Sequence, residues 1–171
     1  MSLGNTFQDQ ELGGSAYSKV YDDEVYPLGS LRVQPADEVA AANSTHSGDR
    51  VWVFVKATGT ITANSLVARQ TTGAYDVQVA GADSLTILLV GCAQHAIADT
   101  KYGWIVKSGV CETTAASALT AGDHLISAAA GKVDDTALSA STAAQGAMIV
   151  GQAMDTAASD GDSVTAYISI P

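Results

Sequence analysis

The sequence contains few basic residues. Its 171 residues include 8 Lys and Arg against 18 Asp and Glu, which gives a formal net charge of −10. The basic residues are scattered along the chain and never form a cluster. A surface with this balance repels phosphates and anionic lipid head groups. We therefore expect no nucleic-acid partner and no membrane partner.

Cysteine, proline and long apolar runs are also scarce. Cys92 and Cys111 could pair, but two isolated cysteines are more often buried free thiols. No basic stretch followed by an apolar run opens the chain, so no signal peptide is expected. The longest apolar run, residues 87–93, is far too short to span a bilayer. These absences predict a protein that is made, and folds, in a cytosol.

Motifs that carry chemistry are missing as well. The sequence has neither Gly-x-Ser-x-Gly nor a phosphate-binding loop. Cys92 and His95 form a lone Cys-x-x-His fragment, and their odd separation places them on opposite faces of a strand. Residues 155–162 are the best calcium candidate, although a solvated turn explains them better. We expect no cofactor, no metal and no enzymatic activity, with a sugar-hydrolysing carboxylate pair as the remaining enzymatic alternative.

The remaining composition is apolar and small. Hydrophobic residues make up 47% of the chain and charged residues 15%, with 16 glycines and only 6% aromatics. This mixture favours closely packed strands and frequent turns, and no proline lies between Pro35 and Pro171 to interrupt a ladder. Residues 134–146, rich in Ala, Ser and Thr, are predicted to form a loop. Strands are predicted at 51–55, 75–79, 85–93, 103–110, 147–153 and 164–170.

A weak internal repeat divides the strand-rich part of the chain. Residues 61–67 resemble residues 119–126, and Leu-Val-Gly-Cys-Ala at 89–93 resembles Ile-Val-Gly-Gln-Ala at 149–153. The spacing between the two copies is nearly kept. We therefore predict an all-β fold, a small barrel or sandwich of short antiparallel strands in two pseudo-repeats at about 58–111 and 116–170. Chance similarity in a sequence rich in Ala, Thr and Gly is the alternative.

The N-terminal segment, residues 1–45, differs from the β-domain predicted at 46–171. It shows no sustained periodicity, and Pro35 followed by Asp37 and Glu38 predicts one short helix. We interpret the segment as an extended arm whose apolar side chains need another surface to cover them. Folding back onto its own domain is an equal alternative. The residues predicted to contact the capsid or another subunit are Phe7, Tyr17, Tyr21, Tyr26 and Leu28.

Several turn and strand motifs resemble those of a known class of proteins. They are Tyr-Pro-Leu-Gly-Ser-Leu at 26–31, Gly-Asp-Arg-Val-Trp-Val-Phe-Val-Lys at 48–56, Tyr-Gly-Trp-Ile-Val-Lys-Ser-Gly at 102–109, and Leu-Thr-Ala-Gly-Asp-His-Leu at 119–125. Over residues 26–170 the chain resembles the decoration, or cement, proteins of tailed bacteriophage capsids. The motifs are β-turn motifs rather than chemical ones.

The resemblance implies a virion protein made in the host cytoplasm and bound in many copies, often as a homotrimer, to the outer surface of an icosahedral capsid. Its partner would be the major capsid protein, whose neighbouring subunits it would cement against the internal pressure of DNA. The alternative is a tail or fibre-base component, or a receptor- or glycan-binding module of a virion. An exposed aromatic platform would favour the latter, but Trp52 and Trp104 lie in apolar strands and are predicted to be core residues.

Overall fold

A computed structural model describes residues 16–81, 88–135 and 149–171. The described chain is mostly β-structure, which confirms the predicted fold class. One 10-stranded sheet and one short helix, α1 (Ala36–Ala42), account for most of it. The strands are β1 (Leu31–Gln34), β2 (Arg50–Ala57), β3 (Ser65–Gln70), β4 (Gly73–Val79), β5 (Leu89–Ala93), β6 (Tyr102–Thr114), β7 (His124–Ser127), β8 (Val133–Asp135), β9 (Ile149–Ala153) and β10 (Ser163–Ser169).

The predicted elements agree with the structure except in one segment and in the strands that lack a clear pattern. β2, β4, β6 and β10 lie where strands were predicted, and β5 and β9 occupy the described parts of two further predictions. Helix α1 begins directly after Pro35, as predicted. The predicted loop at 134–146 is wrong at its start, because Asp134 and Asp135 pair with β7 as part of β8. Residues 136–146 of that prediction lie outside the described residues.

Five strands close into a first ring. The pairings run β2–β4–β3–β5–β6, and β6 pairs again with β2. All of these pairings are antiparallel except that of β2 with β4, where Lys56 and Ala57 lie opposite Asp76 and Val77. Alternate side chains point inward and fill the ring. Its buried core consists of Val53, Val55, Ala57, Ile61, Val67, Val77, Val90, Ala93, Ile97 and Ile105.

A second ring shares β6 with the first. β6 is 13 residues long, and its C-terminal half pairs with β10, which is followed by β9, β7 and β8. A parallel bridge between Ala115 and Val133 returns from β8 to the end of β6. This bridge corresponds to the parallel β2–β4 pairing of the first ring. Two rings of the same design therefore lie in tandem around one long strand.

The two rings also share their register. β3 pairs with β5, and β7 with β9, with one residue skipped at the same place, Val90 in the first ring and Val150 in the second. Such a bulge bends the strand and increases its twist. The resemblance between the two halves of the sequence thus corresponds to two structural units of equal register. Equivalent isolated bridges join Ile61 to Ile97 and Leu119 to Ala157.

The end of the second ring packs on the outside of the first. The Ser127 hydroxyl donates to the carbonyl oxygen of Gly81 at 2.8 Å, and the Gly131 amide donates to the carbonyl oxygen of Ala80 at 2.9 Å. Gly131 has a φ of +72°, and an added Cβ there would lie 2.9 Å from the carbonyl oxygen of Leu66. A bare, left-handed residue is therefore needed where the rings meet. In the described part of the chain, no helix is long and apolar enough to cross a bilayer.

Candidate functional site

Four of the five predicted contact residues, Tyr17, Tyr21, Tyr26 and Leu28, lie on the protein's own first ring. Tyr17 is 5% exposed and stacks on Trp52 with the ring centroids 4.7 Å apart. Tyr21 and Tyr26 meet the ring of Phe54 edge-on at 5.8 and 5.3 Å. The segment therefore supplies an aromatic layer over the outer face of β2 and β6.

Leu28 packs against the same core, and Phe7 lies outside the described residues. Tyr21 also forms a backbone bridge with Tyr102. Over residues 16–34 the segment thus lies on its own domain, which is the alternative left open by the sequence. Contact between these side chains and a capsid or a second subunit stays a prediction.

A polar cluster joins the loop after α1 to the outer face of the second ring. Arg50, which is 6% exposed, donates through Nε to the carbonyl oxygen of Val110 and through Nη2 to Nδ1 of His46. The remaining ring nitrogen of His46 lies 2.8 Å from Oε1 of Glu112. Because Nδ1 accepts a hydrogen bond, Nε2 carries the ring proton, and this N–H donates a hydrogen bond to the carboxylate. No local motif marks this arrangement, since His46 and Glu112 are 66 residues apart in the chain.

Glu112 is the acceptor at the centre of this cluster. Burial, the largest single influence, raises its pKa, but hydrogen bonds from Ser163, His46 and Thr165 together outweigh burial and hold the pKa below its usual range. The Ser163 hydroxyl donates to Oε2 of Glu112 at 2.7 Å. The serine hydroxyl thus donates a hydrogen bond to the carboxylate and not to the imidazole. In a nucleophile–base pair the hydroxyl would be hydrogen-bonded to the base. We call this arrangement a clamp, because its hydrogen bonds hold the loop after α1 against the second ring.

The two cysteines are free and buried where the rings meet. A hydrogen bond with Cys111, followed by burial, raises the pKa of the Cys92 thiol well above its usual range. The Cys92 thiol also lies 3.4 Å from the carbonyl oxygen of Glu112. A protonated, buried thiol is a poor nucleophile and a poor metal ligand.

The metal candidates from the sequence are the Cys92–His95 fragment and the turn at 155–162. Both ring nitrogens of His95 are buried without a hydrogen-bond partner, and burial lowers its pKa to about 4. In the turn at 155–162, Asp162 accepts the amides of Ala158 and Ser159, and Asp160 pairs with Lys132 at 2.6 Å. Among the residues that the structure describes, no three His, Cys, Asp or Glu side chains come together as a metal site.

One sheet edge is open and apolar. Leu31 and Val33 on β1 are 57% and 60% exposed, while the alternate residues Arg32 and Gln34 point toward the aromatic layer. β1 pairs with β2 on one side, and within the described ranges no strand pairs with its other side. The alternation Leu-Arg-Val-Gln is the sequence signal for this strand, although it lies inside the predicted arm.

Beside β1 lies the open end of the first ring. A cavity of about 120 Å³ lies there, lined by residues from all five strands of the ring together with β1 and Pro171. Two of the wall residues are basic. The lining residues are Leu31, Val53, Arg69, Tyr75, Leu89, Val90, Lys107 and Pro171.

No protein-family model and no curated protein matches the chain. By fold, the chain is similar to the crystal structure of the head fiber gp8.5 N base in bacteriophage phi29, with 18% sequence identity and a TM-score of 0.54. The match covers 70% of this chain and 94% of that chain. At this identity the likeness shows the fold. The neighbour is a head fiber protein of a phage, so the decoration family remains a resemblance of sequence motifs.

Proposed function

We propose that this protein is a structural component of a bacteriophage virion that attaches to the outer surface of the head by binding the major capsid protein. The observation that carries the proposal is the fold shared with a phage head fiber base at a TM-score of 0.54. The sequence motifs independently resemble capsid decoration proteins. Both similarities are to proteins of the phage head, although they differ in what the attached protein does there.

The charge and the polar groups support this role. A protein of net charge −10 is repelled by packaged DNA and is better suited to the outside of the shell. Glu112 and Asp162, two carboxylates with several donors each, are engaged in a clamp and in a turn rather than at a pocket. We therefore propose a mechanical rather than an enzymatic role, carried out by a homo-oligomer, with a trimer as the first state to test.

Within this role, two functions are supported. As a cement protein, the chain would bridge neighbouring capsid subunits, and many weak contacts repeated around a closed shell would add up to a large stabilisation. As a fibre base, it would anchor a projecting structure without bracing the shell. The fold comparison favours the fibre base and the sequence motifs favour the cement.

Heads of the source phage assembled without the protein provide the test. We expect the purified protein to cosediment with these heads and to saturate at a fixed number of copies per capsid subunit. An unrelated acidic β-protein of similar size is the control. Absence of saturable binding would rule out the proposal.

The same heads separate the two functions. A cement protein should raise the temperature at which DNA-filled heads release their DNA, measured by dye access during heating. A fibre base should bind equally well and leave the release temperature unchanged.

A further inference from the structure

We propose that the open end of the first ring and the free edge of β1 together bind an extended segment of the capsid protein that carries a carboxylate side chain. This inference rests on the proposed function, since it names the surface that would meet the shell. We call the site the ring mouth, defined by Arg69, Tyr75 and Lys107, with Leu31 and Val33 as its apolar edge.

The polar residues of the ring mouth line the cavity. The register of β4 with β3 shifts between Gly73 and Val77, and that of β6 with β2 shifts between Val106 and Ser108, so the cavity lining rather than strict alternation places Tyr75 and Lys107 at the opening. Each mouth residue stands two positions from a buried residue of the ring core, on β3, β4 and β6 respectively. The pairs are Arg69 with Val67, Tyr75 with Val77, and Lys107 with Ile105.

The charge of the mouth stands out against the rest of the molecule. Six of the eight basic residues have partners: three lie over aromatic rings, one bonds His46, and two pair with Asp22 and Asp160. They are Lys19, Arg32, Lys56, Arg50, Lys101 and Lys132. Within the described residues, Arg69 and Lys107 have neither a carboxylate nor a ring as partner, and both line the same cavity. A narrow opening concentrates the field of two such cations.

The edge of β1 supplies the second half of the site. A strand that adds to this edge can form main-chain hydrogen bonds and place alternate apolar side chains against Leu31 and Val33. Leu31 also lines the cavity, so the edge and the mouth are continuous. A carboxylate on the added strand can then reach Arg69 and Lys107 and form charge-assisted hydrogen bonds.

A capsid segment fits this surface better than a second copy of the chain. If two copies paired symmetrically through β1, each would present the same patch to the other, so two cationic mouths would face one another. The copies also carry a net charge of −10 each. An acidic segment from a different protein brings no second cationic mouth, so it avoids the first of these obstacles.

The test uses two pairs of variants of the full chain. Arg69→Glu with Lys107→Glu reverses the mouth, and Lys101→Glu with Lys132→Glu is the matched control, because those lysines form exposed ion pairs elsewhere. Leu31→Thr with Val33→Thr alters the edge, and Val25→Thr with Met154→Thr changes exposed apolar residues elsewhere. Circular dichroism checks that each variant is folded, and Lys107→Gln replaces the mouth variant if that one does not fold.

We expect the mouth and edge variants to bind phage heads about 10-fold more weakly or worse, and both controls to bind like the unmodified protein. Equal binding by all variants would contradict the ring mouth as the binding site. The proposed attachment of the protein to the head would still stand. If the unmodified protein does not bind heads, the proposed function fails by itself. The site is then decided by NMR titration with the peptide acetyl-Val-Glu-Val-Glu-Val-amide.

In that titration, saturable shifts at the β1 amides and at the Arg69 side chain, lost in the mouth variant, would support the site. An absence of shifts would overturn it. Sedimentation velocity adds a last outcome: self-association that disappears in Leu31→Thr with Val33→Thr would assign the edge to a second copy and contradict the proposal.

Discussion

The two rings have the same backbone and different outer faces. In the first ring, the cross-strand pair on β2 and β6 is Phe54 with Trp104, covered by tyrosines of the N-terminal segment. In the second ring, the equivalent pair on β6 and β10 is Glu112 with Thr165, covered by His46. The same strand register is therefore compatible with an aromatic outer face in one ring and a polar outer face in the other. The residues that both rings require should therefore be those that determine the strand register.

The rings also differ at their open ends. The end of the first ring is wide enough for a cavity and carries Arg69 and Lys107. At the second ring, the equivalent strand positions are Ser127 and Ile168, both buried, and the end is closed against the first ring. Tandem packing thus uses the end of one ring and leaves the end of the other available for a partner.

The largest effect should come from the glycines that set the register. A Cβ on Gly91 would collide with the carbonyl oxygen of Val106, and a Cβ on Gly151 with that of Tyr167. These oxygens belong to the neighbouring strand, so the ladder itself has to move. We expect Gly91→Ala and Gly151→Ala each to lower the free energy of unfolding by about 3 kcal/mol or more, measured by urea denaturation.

Gly122→Ala is the matched control for this prediction. Gly122 has a φ of +100°, but no atom lies within 4 Å of the position of its missing Cβ. It should lose only about 1 kcal/mol, from backbone strain alone. A loss as large as that of Gly151→Ala would show that strand contact is not the cause.

A smaller effect should distinguish the two outer faces by pH. Glu112→Gln removes the negative charge and one of the two oxygens that accept hydrogen bonds from His46 and Ser163, and we expect a loss of about 2 kcal/mol at pH 7. The folded state holds the pKa of Glu112 below its usual value, so this stabilisation is complete above that value and is lost as the pH falls through the folded pKa. The difference between the variant and the unmodified protein should therefore shrink below about pH 4.5.

Phe54→Leu offers the comparison in the first ring. Its loss comes from packing in the aromatic layer and should be the same at pH 7 and pH 4. Urea denaturation at both pH values gives the two differences. A Glu112→Gln difference that stays constant with pH would remove the charge of Glu112 from the explanation.

The sequence predicted the strands that have a clear chemical pattern. The β-branched run at 51–55 and the alternating run at 75–79 are visible locally, and Pro35 marks the start of α1. β3, Ser-Leu-Val-Ala-Arg-Gln, has no such pattern and was missed. Its position depends on neighbours far along the chain.

The candidate sites were harder to predict for the same reason. The tyrosines at 17, 21 and 26 were recognised as needing a cover, but composition does not say whether that cover is a partner or the chain's own Trp52 and Phe54. Similarly, Arg69 and Lys107 look like isolated charges until ring closure brings them to one opening. Which residues meet is decided by long-range pairing, which local sequence does not encode.

The smallest effect concerns the turn that follows β5 in the first ring and β9 in the second. His95 occupies this turn in the first ring with both nitrogens unpaired, whereas Asp155 in the second accepts the amide of Thr165 at 2.9 Å. The pKa of His95 is lowered to about 4, so on acidification the unfolded chain binds a proton near its ordinary pKa of 6.5, before the folded chain does. The folded state should therefore become less stable between pH 6.5 and pH 4 through this residue.

His95→Leu removes the proton-binding group and keeps an apolar side chain beside Ile97 and Gly103. We expect the variant to be at least as stable as the unmodified protein at pH 7, because no buried ring nitrogen is left unpaired. Its stability should also fall less steeply between pH 6.5 and pH 4, measured by urea denaturation across that range. An unchanged dependence of stability on pH would mean that the His95 imidazole is hydrated in the folded state. The polar side chain of this turn would then have hydrogen-bond partners in both rings.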